Sequence, residues 1–311
     1  MSKTAKTLVL IDGNAIMHRA YHALPPLTSR DGRLVNAVYG FSTMLFKIID
    51  DLKPDHLAVA FDTPVPTFRH IKYLGYQAHR PHTEEGLSGQ FETVYEVLSQ
   101  LKIPIFRLEG FEADDVIGTL AQKAARSPKI DRVIIVTGDR DLLQLVNPKT
   151  SLYMPQKGVS DYHLVHPEDV KQKLGIAPGQ IVDYKALTGD ASDNYPGVPG
   201  IGPKTAVNLI TQYKNLKNIY RHLKEIPDTT SQKLTINHNL ADLSRELATI
   251  VTDAPVELDF IATRFHPLDK QKAISVFSEL GFKSLVSRLT GIGEKSQIKK
   301  LASSKNQLPL I

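Results

Sequence analysis

The sequence predicts an α/β protein in which a mainly parallel central sheet is flanked by helices and followed by a C-terminal helical subdomain. Three observations carry this. Four short apolar runs in the first half are continuous rather than alternating, helix-length stretches separate them, and beyond about Pro167 the strand signal gives way to helical spacing. Continuous apolar character is what a strand buried on both faces requires, and crossover helices supply those two covers.

Taken in order, the first run is T-L-V-L-I at 7–11, and Asp12 follows it directly. Helical spacing over 41–52 leads to L-A-V-A-F at 57–61, which ends at Asp62. A second helical stretch, 90–101, precedes I-P-I-F at 103–106, and a third, 113–125, precedes R-V-I-I-V at 132–136. The fourth run opens into T-G-D-R-D, which carries Asp139 and Asp141. Helical pattern then dominates from about Pro167, broken by N-Y-P-G-V-P-G-I-G-P-K at 194–204. The expected division is an α/β core over 1–166, a helical subdomain over 167–290, and a flexible lysine-bearing tail or linker over 291–311. No internal repeat is evident.

Composition narrows the class. The 311 residues are 41% hydrophobic and 23% charged, ordinary for a globular chain, and the formal charge of +5 leans toward polyanionic partners. There is no cysteine, which excludes disulfides, thiolate metal sites and a cysteine nucleophile. The apolar segment near the N-terminus is too short for a signal-peptide core and no window approaches a membrane span, so the chain reads as cytoplasmic with no membrane partner.

The acids fall in a pattern. Open parallel sheets bind ligands just beyond the carboxyl ends of their strands, so Asp12, Asp62, Asp139 and Asp141 should share one rim. G-F-E-A-D-D at 110–115 places Glu112, Asp114 and Asp115 at a helix start leaving that same edge, where the helix dipole favours them. D-A-S-D adds Asp190 and Asp193, three apart and able to face one way. Any one of these is explained as a turn or N-cap residue. Repetition at one edge is not, and nine carboxylates cannot all stay ionised a few ångströms apart without a cation among them. An all-oxygen set with no cysteine and no histidine pair selects Mg²⁺ or Mn²⁺ over Zn²⁺. Two such ions about 4 Å apart would activate a water and stabilise the leaving oxygen of a phosphodiester.

Two further stretches bear on binding. In P-G-V-P-G-I-G-P-K-T-A at 196–206, Gly197, Gly200 and Gly202 let backbone approach a phosphate, and a helix starting near Lys204 and Thr205 adds a positive dipole end and a cation. A structural turn between two helices would show some of the same residues. Residues 67–91 interleave Arg69, Lys72 and Arg80 with Phe68, Tyr73 and Tyr76, which suits an unpaired strand whose phosphates meet cations and whose bases stack on rings. A solvated helix with a few buried rings is the competing description. The histidines, His18 and His22 among them, are too scattered to form a ligand set.

With Asp12, Asp62, E-A-D-D, G-D-x-D, D-A-S-D and P-G-I-G-P-K-T-A in this order, the sequence resembles the 5′-nuclease, or flap endonuclease, superfamily, and within it the N-terminal 5′→3′ exonuclease domains of bacterial DNA polymerases I. The likeness runs from about Thr7 to Leu289. It implies a PIN-like, resolvase-like nuclease core and a helix-three-turn-helix DNA-binding element. It implies one metal site on Asp12, Asp62, Glu112 and Asp114, and a second that shares Asp114 and adds Asp139, Asp141 and Asp193, with Asp115 and Asp190 in supporting positions. It also implies a K⁺ near Gly200 and Gly202, and a helical arch over 67–91 through which the 5′ strand passes. Arg80 matches the arch arginine, and Arg19 a residue near the phosphate. Gln77 stands where the family usually carries a lysine that polarises the scissile phosphate, and Lys72 lies near enough to substitute.

The expected function is a metal-dependent 5′→3′ exonuclease and 5′-flap endonuclease, acting as a monomer on DNA with a 5′ flap, nick or overhang, or on an RNA primer–DNA hybrid, with a fused or separate DNA polymerase as partner. Three alternatives stay open at this point. One is a non-catalytic junction binder, one a related ribonuclease on a similar sheet, and one a phosphatase suggested by L-V-L-I-D-G-N, although that class needs an aspartate where Asn14 stands.

Overall fold

A computed structural model describes residues 5–79, 83–156 and 161–291. Six strands form one sheet: β1 (Thr7–Asp12), β2 (His56–Ala60), β3 (Ile105–Phe106), β4 (Arg132–Val136), β5 (Thr150–Pro155) and β6 (Tyr162–Val165). Their order is β3-β2-β1-β4-β5-β6, parallel throughout except for the antiparallel β5–β6 edge. The first four strands are the four apolar runs, although only Ile105–Phe106 of 103–106 is paired. The last two strands were not anticipated. Their T-S-L-Y-M-P and Y-H-L-V lie toward the edge of the sheet and are only partly buried, so they need no continuous apolar run.

The helices of the first half are α1 (Gly13–Ala23), α2 (Asn36–Leu52), α3 (Phe68–Lys72), α4 (Glu85–Ser88), α5 (Phe91–Gln100) and α6 (Ala113–Arg126). Helix α2 begins five residues before the spacing at 41–52 announces it. The buried Gln90 side chain accepts from the N–H groups of Ala37 at 2.8 Å and Val38 at 3.3 Å, a cap supplied from distant sequence. The second half contributes α7 (Pro167–Leu174), α8 (Ile181–Thr188), α9 (Pro203–Tyr213), α10 (Leu216–Arg221), α11 (Asp228–Ile236), α12 (His238–Ala248), α13 (Lys270–Glu279) and α14 (Lys283–Thr290).

The two faces of the sheet seed two cores, as the period of two along a strand demands. Leu8 and Leu10 of β1 join α6 and the helices from α7 to α12, whereas Val9 and Ile11 join α1, α2, α5, α13 and α14. The helical second half is therefore divided: α13 and α14 pack across the sheet from α7–α12. The order also makes the gap between β1 and β4 the point where connections diverge, β1 leading to β2 on one side and β4 to β5 on the other.

Candidate metal centre and nucleic-acid interface

The rim beyond β1, β2 and β4 holds the expected acids. Asp12 ends β1 and also caps α1: Oδ1 accepts from the Ala15 N–H at 2.9 Å, and Oδ2 accepts from the Thr137 hydroxyl at 2.7 Å. Thr137 in turn accepts from the Asp139 N–H at 2.9 Å, and Asp139 Oδ1 from the Asp141 N–H at 2.8 Å, so the T-G-D-R-D loop is wound to present its acids. Asp62 follows β2 and accepts from the Ala113 N–H at 2.7 Å, which fixes the start of α6 beside it. Glu112 is the N-cap of α6, with Asp114 in its first turn.

The charges of this group lie within reach of one another. Burial, and then the neighbouring carboxylates, push Asp12 up to about 7. Burial likewise raises Glu112 to about 7 against the pull of Arg69. Asp114 is raised well above the usual carboxylate range, first by burial and then by Asp139, Asp12, Glu112 and Asp62.

A second group sits beside it. Asp141, Asp190 and Asp193 each offer an oxygen within 4.8 Å of the other two. The Lys185 ammonium bonds Asp141 and reaches Asp190 at 2.5 Å. Burial lifts Asp141 to about 6 in spite of that ammonium. Asp190 also feels burial, but Lys185 and the Ser192 donors outweigh it and hold its carboxyl below the usual range. The Tyr76 hydroxyl lies 3.3 Å from Glu112 and 3.5 Å from Asp193 and so links the two groups. Converging, partly desolvated carboxylates that raise one another's proton affinity, partly balanced by a lysine, fit hard divalent cations held by oxygen.

Several expectations need correction. Asp115, expected in a supporting position or on a metal, is fully buried in a structural pair: its oxygens accept the two arms of Arg69 at 2.7 and 2.8 Å and the N–H groups of Glu112 and Val251. Arg69, expected at the DNA, is 2% exposed and also donates to the carbonyls of Leu247 and Thr249. The Tyr76 ring is buried against His70 edge-on, so it offers no face to a base. Lys72 is exposed and ion-paired with Glu246 of α12. Arg80 lies outside the described residues, as does the tail beyond Gly291. Arg19 is half-buried on α1, where its charge reaches Tyr162.

In the hairpin, Gly197 serves packing rather than a phosphate. At φ +63 it is buried, and a Cβ there would come within 2.2 Å of the Gly189 nitrogen. Gly200, Gly202 and Lys204 are exposed, and Thr205 is half-buried. Gly202 caps α9 without a side-chain acceptor, so the exposed start of that helix presents N–H groups beside the lysine. The Gly200 carbonyl accepts the Lys233 ammonium at 3.1 Å, so this carbonyl of the expected K⁺ site already meets a cation.

Sequence reasoning missed Lys185 and Thr137. The signal for Lys185 was a lone lysine in the apolar helix I-V-D-Y-K-A-L-T, five residues before Asp190.

The chain matches the family models of the 5′-3′ exonuclease N-terminal resolvase-like domain over residues 7–175 and of the 5′-3′ exonuclease C-terminal SAM fold over 176–271. It is 41% identical over 285 residues to DNA polymerase I of Bacillus subtilis, covering 91% of this chain and 32% of that protein. The chain thus spans about a third of the length of the curated relatives it matches. The fold is similar to T5 5′-exonuclease with bound zinc ions, at a TM-score of 0.65 and 20% identity over 92% of this chain and 97% of that one. It is also similar to the catalytic core of Rad2 in complex with DNA substrate, at 0.60 and 18% over 91% and 90%.

Proposed function

Because the chain belongs to the 5′-3′ exonuclease family, we propose that it is a metal-dependent, structure-specific nuclease that hydrolyses phosphodiesters near the junction of duplex DNA and a 5′ single strand. One observation carries the reading. Acids from four separate segments meet as Asp12, Asp62, Glu112, Asp114 and Asp139 beside the Asp141, Asp190, Asp193 trio.

In this proposal Asp12, Asp62, Glu112 and Asp114 hold one divalent cation, and Asp114, Asp139, Asp141 and Asp193 a second. When bound, Mg²⁺ or Mn²⁺ supplies a lowered pKa to the attacking water and stabilisation to the departing oxygen. The chain's own groups do the positioning. Thr137 and the Ala15 N–H hold the Asp12 carboxylate, Lys185 holds Asp141 and Asp190, and Asp190 supports the site from behind that ion pair. Water attacks phosphorus in line, the bond to the 3′-oxygen breaks, and the products carry a 5′-phosphate and a 3′-hydroxyl. Lys204 and the start of α9 hold the duplex backbone without reading bases. A K⁺ at the hairpin would draw on carbonyls other than that of Gly200. RNA-primer strands are substrates on the same grounds, because nothing in this mechanism touches a sugar. A polymerase joined to this domain would supply the strand displacement that creates flaps.

A labelled 5′-flap duplex with mapped product lengths is the test. Cutting near the junction is expected in Mg²⁺ or Mn²⁺ and none in EDTA, while Asp12→Ala and Asp62→Ala bind the flap but do not cut it. Tight binding by the wild type with no cutting in either metal would instead make the chain a junction binder.

A further inference from the structure

The base of the arch grips the second acidic group. Gln77 donates from Nε2 to Asp193 Oδ1 at 3.0 Å and from its backbone N–H to the Asp193 carbonyl at 2.9 Å. Asn194 answers with Nδ2 on the Gly75 carbonyl at 2.6 Å. Gln77 and Asn194 both sit in the left-handed region, at φ 53 and φ 57, which non-glycine residues adopt only where their surroundings hold them there. Three hydrogen bonds therefore tie the segments 75–77 and 193–194, each of which holds a residue in the left-handed region, and one of those bonds ends on a carboxylate assigned above to a cation.

We propose that Gln77 is a positioning residue for Asp193: its amide, on Oδ1, fixes the plane of that carboxylate toward Asp141 and Asp190, while the Tyr76 hydroxyl lies 3.5 Å from Oδ2. This rests on the metal-dependent reading given above. The chemistry of the donor matters. A carboxylate with a free torsion loses orientation entropy when it binds a cation, and an oriented one has already lost it. A lysine at the same place would orient Asp193 too, but its charge would offset the carboxylate's charge and oppose a cation. A neutral amide orients Asp193 and leaves its full charge to the ion. The same bonds tie the turn over 73–77, next to the exposed Ile71 and Leu74, to the metal-holding acids. Loading the trio and ordering the arch base are then coupled, each favouring the other equally.

The test measures Mn²⁺ binding directly, by electron paramagnetic resonance titration of the intact protein without DNA. Gln77→Met keeps the side-chain length and removes the donor. Asn194→Gly opens the Gly75 bond and relieves the left-handed strain without touching the carboxylate. Gln77→Met is expected to weaken the weaker Mn²⁺ site about tenfold, within the range for loss of a ligand-orienting partner. Asn194→Gly should shift it by about twofold at most, and thermal melting in EDTA serves as the control for folding. Unchanged Mn²⁺ affinity in Gln77→Met, or an equal loss in Asn194→Gly, would overturn the positioning role. Absence of Mn²⁺ binding by the wild-type protein would remove the metal reading itself, a result distinct from either.

Discussion

Asp115 has no exposure to water, and the Arg69 fork is what allows a carboxylate to stay there. Two parallel bonds, both under 3 Å, and two backbone N–H donors satisfy that carboxylate completely. Arg69 in turn ties α3 to α6 and to the end of α12. Removing one partner of such a pair leaves an uncompensated buried charge, so Arg69→Met should lower the unfolding free energy by about 3–5 kcal/mol in urea titrations. Asp193 is the opposite case. It stands among like charges, so Asp193→Asn should leave metal-free stability within about 0.5 kcal/mol of the wild type, or raise it, while cleavage of a flap substrate is lost. If Asp193→Asn melted early and Arg69→Met did not, the structural and metal-holding roles assigned to the two acids would have to be exchanged.

At the scale of elements, the proposal that a duplex backbone is held at the start of α9 rests on the exposed position of that helix end and of Lys204. Lys204→Ala should weaken binding to duplexes of unrelated sequence by a similar factor and reduce the slope of log affinity against log salt by about 1, as loss of one phosphate contact requires. A slope unchanged within error would place the contact elsewhere. The hairpin could be read from its glycines, and β1, β2 and β4 from apolar runs ending in aspartate, because those signals are local. What escaped was decided by partners far away in the chain. Arg69 carries the same sequence signature as a DNA-facing arginine, and only its 2% exposure against Asp115 shows otherwise. Gln90 gives no sign of capping α2 from 53 residues away. Lys185 reads as one lysine in a helix until folding places it between Asp141 and Asp190. The edge strand β6 and its neighbour β5 are only partly buried and lack the continuous apolar character that marked the central ones.

The whole molecule gathers a cluster of buried and half-buried carboxylates at one rim between two hydrophobic cores, and this cluster shapes how its stability must vary with pH. In the metal-free protein, burial and mutual repulsion hold Asp12 and Glu112 near 7 and Asp141 near 6, above the roughly 4 of the same groups in an unfolded chain. Between those values the folded state binds more protons than the unfolded one. The contribution of these groups to stability is therefore complete below pH ~4 and declines as pH rises through about 6 to 7. Asp190, held low by Lys185, works in the other direction below pH ~4, and His56, which burial holds below its usual value, opposes the trend in part, but Asp12, Glu112, Asp141 and Asp114 outnumber them. Divalent cations reverse the balance by binding the ionised form, so metal binding must release protons in this window. Thermal melting in EDTA should fall between about pH 5 and about pH 8, and the rise in melting temperature on adding Mn²⁺ should be small at the lower value and largest at the upper. Calorimetric titrations near pH 6.5 in buffers of different ionisation enthalpy should show net proton release of about one or more per protein. A metal-induced stabilisation equal at both pH values, with no proton release, would mean that these carboxylates do not crowd one another in solution.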